Sequence, residues 1–311
     1  MSRTVDAEER AAFAEGVRQA FGRPDADTAL AELGWTDALA EWGGAAIETV
    51  FTEQGRARAT STALDDVLLA ALGLTGQHAV ALSPVGSRET PGRLGPDGLS
   101  VAGVASSRIV GATLVVVAGG VAVTVPAAAL SIRPLGGIDP DAGLMVVEGS
   151  VPREDFLDET DVAWTDALAA AQLALACELV GLSRSMLALA REHALSRVQF
   201  DRPISGFQAV RHKLADTLVA IEGAAAGAGA AADDLSLAPL AKALAGKAAR
   251  LTAKHAQQVL AGIGFTAEHA FHRHLKRAML LDELAGSARV LAHELGEQIL
   301  ATGHAPVTLP L

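Results

Sequence analysis

The stretch Arg197-Val-Gln-Phe-Asp-Arg-Pro-Ile-Ser-Gly-Phe-Gln-Ala-Val-Arg-His-Lys-Leu-Ala-Asp216 decides how the chain is read. It sets an arginine, a Gln-Phe pair and an X-Pro turn between two long segments with apolar residues at helical spacing. A helix generally ends before a proline, so Pro203 marks the break. A turn that offers a guanidinium and an exposed aromatic, with a helix on either side, is suited to holding something flat and anionic.

Working outward, residues 163–194 form a long, almost glycine-free helical pattern before that turn. After it, helices are expected over about 207–232, 238–260, 266–279 and 283–300. Short connections make these an antiparallel bundle, and the Ala/Gly run 223–232 reads as close helix packing. Toward the N-terminus, residues 78–150 change character. Val-rich runs at 114–117, 121–125 and 144–147, punctuated by Gly and Pro, indicate a small antiparallel β module. Residues 7–73 are helical again, with amphipathic stretches at 8–21, 45–51 and 63–72. The expected fold is therefore α+β and mainly α. It divides into an N-terminal helical domain (1–76), a small β domain (77–155) and a C-terminal helical bundle (156–311).

Composition sets bounds. Among 311 residues, half are hydrophobic, 4% are aromatic and tyrosine is absent, which favours close-packed Ala-rich helices. A net charge of −11 argues against nucleic acid as a partner. Cys177 is the only cysteine, so no disulfide forms within the chain, in keeping with a reducing cytoplasm. The N-terminus carries no apolar signal-peptide core. The charge-free stretch between Arg108 and Arg133 is long enough to cross a bilayer, but Gly119-Gly120 and Pro126 make it a buried hairpin. No membrane association is expected.

The motif Arg-x-Gln-Phe-x-x-Pro-Ile-x-x-Phe-Gln-x-Val-x-His-x-Leu-Ala-Asp resembles the signature of the acyl-CoA dehydrogenase family. Three further segments carry the resemblance. Gln258-Val-Leu-Ala-Gly-Ile-Gly-Phe265 is similar to the family's Gln-x-x-Gly-Gly-x-Gly-Phe, with Ala261 in place of the first glycine. Leu284-Ala-Gly-Ser287 stands where the family has Tyr-Glu-Gly-Thr. Leu82-Ser-Pro-Val-Gly-Ser-Arg88 looks like a worn Thr-Glu-Pro-x-x-Gly-Ser-Asp. The likeness is close over 160–300 and weak over 1–150, where the chain is also short.

The resemblance implies a reaction that removes an α-proton from an acyl-CoA thioester while a β-hydride passes to FAD. That needs a carboxylate base in a desolvated site. The family's base position aligns with Ala285, and the alternative position on the first bundle helix aligns with Ala171. Neither can abstract a proton. Glu283 and Glu178 lie near these positions in sequence but are displaced from them, Glu283 by a rotation of roughly 200° on a helix. The flavin-ring side is eroded as well. Leu82 and Ser83 replace Thr-Glu, and Ser107-Arg-Ile-Val-Gly111 stands where a Trp-Ile-Thr run belongs.

The half of the site that serves a neighbouring subunit is kept. By resemblance, Arg197 pairs with the FAD pyrophosphate and Phe200 packs on the cofactor. Gln199, Gln208, Gln258 and Gly262 lie against it. The implied assembly is an α2β2 complex with a full-length homologous subunit that supplies the base, like those of actinobacterial steroid side-chain degradation. The alternatives are a self-sufficient enzyme with a relocated glutamate and a flavin-free scaffold. His269, His272 and His274 lack the Cys or carboxylate that would complete a metal site. Trp35, Trp42 and Trp164 read as core or interdomain residues, and Ser185 as an ordinary mid-helix serine.

Overall fold

A computed structural model describes residues 6–87 and 89–305. Five helices come first: α1 (Ala7–Phe21), α2 (Ala26–Glu32), α3 (Trp35–Trp42), α4 (Gly44–Ala57) and α5 (Ala63–Leu72). Eight strands follow: β1 (Ala79–Val80), β2 (Gly92–Gly95), β3 (Gly98–Ser106), β4 (Thr113–Ala118), β5 (Val121–Pro126), β6 (Ser131–Pro134), β7 (Leu144–Pro152) and β8 (Asp158–Asp161). Then come α6 (Trp164–Ser196), a hairpin of β9 (Val198–Gln199) and β10 (Arg202–Pro203), α7 (Gln208–Asp233), α8 (Ala238–Leu260), α9 (Phe271–Glu283) and α10 (Ala288–Thr302). The order of helices, β module and helical bundle is the expected one.

The strands form two four-stranded sheets, β1-β4-β5-β8 and β2-β3-β7-β6. They are antiparallel except that β1 runs parallel to β4, an exception to the expected arrangement. The charge-free stretch is the β4–β5 hairpin, with Ala118 opposite Val121 across Gly119-Gly120. Its lack of charge follows from burial on both faces. Leu114 and Val116 enter the core between the sheets, while Val115 and Val117 turn the other way into the helical core.

α6 is the axis of the molecule, and residues 170–183 are buried on every side. Small residues let neighbouring helices approach closely. A Cβ on Gly55 would stand 2.1 Å from the Glu178 carbonyl, and one on Gly181 would stand 2.2 Å from that of Thr52. So α4 and α6 cross backbone to backbone, which brings Gln54 against Glu178. Trp35 and Trp42 are buried in the N-terminal helices, and Trp164 is buried at the start of α6. The long apolar helices α6 and α7 both have the length and composition of a membrane span; most of that window of α6 is buried inside the protein, but little of that of α7.

Two boundaries differ from expectation. α9 begins at Phe271 rather than near 266, because 261–265 form a 3-10 turn. Glu283 ends α9 instead of opening the last helix. Ala285 and Gly286 both take positive φ, which no helix accommodates.

Candidate functional site

The Arg197 motif folds as a two-residue β-hairpin at the end of α6, with Gln199 opposite Arg202 and Val198 opposite Pro203. Its turn residues, Phe200 and Asp201, have φ of 54° and 60°. Positive φ at both positions is the pattern of a turn that normally carries Asn-Gly, so Phe200 is held in a conformation it disfavours. Phe200 is 86% exposed, and its ring stands edge-on to Phe207 with centroids 6.0 Å apart. Arg202 lies over the face of Phe207, 4.2 Å from its centroid. A large aromatic on a strained turn, aimed at solvent, is an arrangement that folding alone does not explain.

The other expected residues are placed similarly. Arg197, Gln199, Gln208, Gln258 and Gly262 are all exposed. No hydrogen bond or ion pair engages the Arg197 guanidinium among the described residues. Open space surrounds Gly262, and Phe265 beside it is 79% exposed. Among the described residues, no hydrogen bond joins the hairpin to the 258–265 turn. This donor set, a forked cation, amides and bare glycine backbone beside an aromatic, fits the pyrophosphate and adenosine of a dinucleotide.

The segments that resemblance places on the flavin ring are committed elsewhere. Ser83 donates its hydroxyl to the Glu89 carbonyl, and the Gly86 N–H donates to the Glu283 carbonyl at 3.2 Å. Arg88 lies outside the described residues. Ser106 donates to Asp65, while Arg108 donates to Asp66 at 2.6 Å and to Thr62 at 2.8 Å. These bonds tie the β module to α5.

Ala285 and Ala171 are both buried. The loop around Ala285 is pinned from three directions. Gln172 donates to the Ala285 carbonyl at 2.9 Å. The fully buried Lys242 donates to the carbonyls of Asp282 and Gly286 at 3.0 and 3.2 Å. Asp282 accepts from the Ala288 N–H at 3.1 Å and from Arg250. Burial lowers the Lys242 ammonium to about 8.

Inward of this loop lies a cavity of about 50 Å³, walled by Leu82, Leu175 and Leu284 and carrying Asp65, Glu178 and Arg277. Drug-sized ligands occupy roughly 300–1,000 Å³. Burial pushes Glu178 up to about 7 and Asp65 up to about 6. Glu178 accepts from Gln54 at 2.9 Å through one oxygen; the other has no hydrogen bond, with Arg277 at 3.7 Å. Glu283 points away from the cavity. It lines an outer groove of about 410 Å³ with Val85 and Met279 and sits 3.4 Å from Arg250. The groove's charged groups, Arg250, Asp282 and Glu283, are bonded to one another.

Arg277 was not legible as a site residue. It binds Asp139, the Ala59 carbonyl at 3.1 Å, Thr60 at 3.2 Å and the Asp141 carbonyl at 2.8 Å, so it joins N-terminal helices, β module and bundle. Its one sequence signal is a cation inside the apolar stripe of α9. His269, His272 and His274 do not converge on a metal. His272 and His274 bond backbone carbonyls of the preceding turn, and no cluster of metal-binding side chains occurs among the described residues.

Comparisons with known proteins bear on this geometry. Residues 162–300 match the family model of the acyl-CoA dehydrogenase C-terminal domain. The acyl-CoA dehydrogenase IpdE2 of Mycobacterium tuberculosis is 33% identical over 171 residues, covering 54% of this chain and 52% of IpdE2. The chain thus spans about half the length of that relative (52%). In fold, it is similar to a chain of the ChsE4-ChsE5 complex from M. tuberculosis, with a TM-score of 0.72 and 21% identity over 99% of this chain and 100% of that one. It is also similar to the Tcur3481-Tcur3483 steroid ACAD, with a TM-score of 0.75 and 22% identity over 95% and 99% of the two chains. The matched bundle and the shared three-part fold agree: residues 162–300 form an acyl-CoA dehydrogenase C-terminal domain, and the chain as a whole has the fold of the acyl-CoA dehydrogenases it resembles.

Proposed function

We propose that this chain is the shortened subunit of a heteromeric FAD-dependent acyl-CoA dehydrogenase and serves the flavin site of a full-length partner. The supporting observation is an asymmetry between two halves of one site. Groups in the segments that would hold a flavin ring in this chain, Ser83, Gly86 and Arg108, are spent on internal bonds, and the inner cavity holds only about 50 Å³. Groups that would reach a neighbour's cofactor, Arg197, Phe200, Gln258 and Gly262, all face solvent.

The chemistry divides accordingly. Bound FAD supplies the hydride-accepting step. The α-proton needs a carboxylate, and the methyl groups of Ala285 and Ala171 leave that task to the partner. Arg197 neutralises pyrophosphate charge, Phe200 covers an apolar face, and Gln258 with Gly262 gives amide and backbone access. A CoA thioester of a bulky polycyclic acid is the proposed substrate, carried over from the steroid ACAD whose fold this chain shares.

Co-purification with the partner followed by flavin counting tests the proposal. One FAD per two chains is expected, and Arg197→Ala should strip most of it. One FAD per chain would overturn the reading. Unchanged flavin in Arg197→Ala would point instead to a scaffold role.

One observation favours a second reading. Glu178 lines the inner cavity with one oxygen that accepts no hydrogen bond and lies 3.7 Å from Arg277, and burial pushes its carboxyl up to about 7, as a relocated base would need. In that case the chain alone should be yellow and reduce a dye with an acyl-CoA, and Glu178→Gln should abolish the activity.

A further inference from the structure

We propose that the trench between α8 and α10 binds an anionic amphiphile, a straight-chain carboxylate, at a site separate from the cofactor face. The inference stands on this trench and does not need the reading of the Arg197 hairpin.

α10 packs against α8 along a narrow line. Of its 15 residues, only Ala288 and Leu291 are buried. The helices approach most closely where Gly246 meets Ala288: a Cβ on Gly246 would stand 2.8 Å from the Ala288 Cβ. Beyond that contact they leave a trench of about 510 Å³ between them, a volume that suits a small ligand. Gly296 on its wall has no atom within 4 Å of the place a Cβ would take, so the space beside it is open. A close-packed protein seldom leaves apolar surface this large without an occupant.

The trench is polarised along its length. Gly246 meets Ala288, while Pro239 shares a groove with Gln298, so α8 and α10 run antiparallel. Lys247, Arg250 and Arg289 therefore gather at one end, and Leu240, Leu244 and Ile299 form the other. No carboxylate lines the trench, in a chain whose net charge is −11. Arg250 is held by Asp282 and Glu283. Lys247 and Arg289 are exposed, and neither has a hydrogen bond or ion pair among the described residues. This distribution selects the occupant. A partner's helix laid along the trench would present charges along its whole length, whereas the cations here stand at one end. An extended hydrocarbon with a single anionic end matches them. Its carboxylate meets Lys247 and Arg289, and its tail displaces water from Leu244 and Ile299 over the roughly 15 Å that α8 advances from Leu240 to Arg250. A further 15 Å or so of α8, from Arg250 to Leu260, separates this site from the turn that carries Gly262.

The test titrates the full chain with sodium decanoate at pH 8 by calorimetry. One saturable site per chain is expected, with Kd on the order of 100 µM. Acetate has the charge without the tail and decanol the tail without the charge; each should bind at least about tenfold more weakly. The double variant Lys247→Glu, Arg289→Glu should weaken decanoate about tenfold or more, and Ile299→Asp should do the same from the apolar end. Melting temperatures of the variants check that the fold is kept. Reversing two exposed cations outside the trench, Arg93→Glu with Arg191→Glu, should leave binding within about twofold, as should Arg197→Ala on the cofactor face. Titrations that never saturate, or a Lys247/Arg289 double variant that binds like the wild type, would reduce the effect to surface adsorption and overturn the proposal. Decanol binding as tightly as decanoate would overturn the anionic end. If decanoate binds the chain alone but not the complex co-purified with its partner, protein covers the trench and the assignment to a small ligand fails.

Discussion

At the scale of single residues, the family likeness leaves a physical trace where a glycine has been replaced. Ala261 stands in the Gln-x-x-Gly-Gly segment and keeps a glycine conformation, with φ 52° and ψ −132°. Such strain costs of the order of 1–3 kcal/mol. Ala285 has a similar φ of 55°, but its methyl is buried in the helical core, so packing offsets part of the strain. Ala261 is exposed and has no such offset. Ala261→Gly should therefore stabilise the fold by about 1 kcal/mol, once the greater freedom of glycine in the unfolded chain is deducted. The measurement is a melting temperature raised by about 2 °C. Ala285→Gly should give less or reverse the sign. Equal gains at both sites would mean that burial does not support the strained loop.

At the scale of elements, the proposed function makes the hairpin a place where stability is set against binding. A positive φ at Phe200 favours Asn, so Phe200→Asn should raise stability by about 1 kcal/mol and at the same time lower the flavin retained by the complex several-fold. Thermal melting and flavin absorbance of the same sample separate the two effects; a variant that loses both would make Phe200 a structural residue. Nothing in the local sequence announces this turn. Asp tolerates positive φ but Phe disfavours it, and Pro203, read as the helix breaker, lies seven residues beyond the end of α6 at Ser196. The same limit applies to the end of α9. Leu284 continues its apolar stripe in sequence, yet its backbone is already extended (ψ 139°), and Ala285 and Gly286 follow with positive φ. Period and composition located the helices and the Val-rich strands, while backbone strain decided where they stopped.

At the scale of the whole molecule, the three-part order was legible because it rests on local periodicity. The junction was not. Arg277, Asp139, Gln54 and Glu178 meet across as many as 138 residues of sequence, and long-range ion pairs leave no local pattern. Their meeting has a consequence for stability. The Glu178 carboxyl moves from 4.5 to about 7 and that of Asp65 from 3.8 to about 6, both chiefly through burial. A carboxyl raised on folding means that the native state binds more protons than the unfolded chain between the two values. Stability is then fully present below about pH 4.5, falls as pH climbs, and levels off above about pH 7 for Glu178. The loss from Glu178 is on the order of 3 kcal/mol. Glu178→Gln keeps a partner for Gln54 and cannot ionise, so it should remove most of the fall between pH 5 and pH 8. The remaining slope should belong to Asp65 and end near pH 6. Melting temperatures of the two proteins across this range decide the matter: converging curves at low pH and separated curves at pH 8 are expected, and parallel curves would mean that Glu178 is ionised throughout and already paired with Arg277.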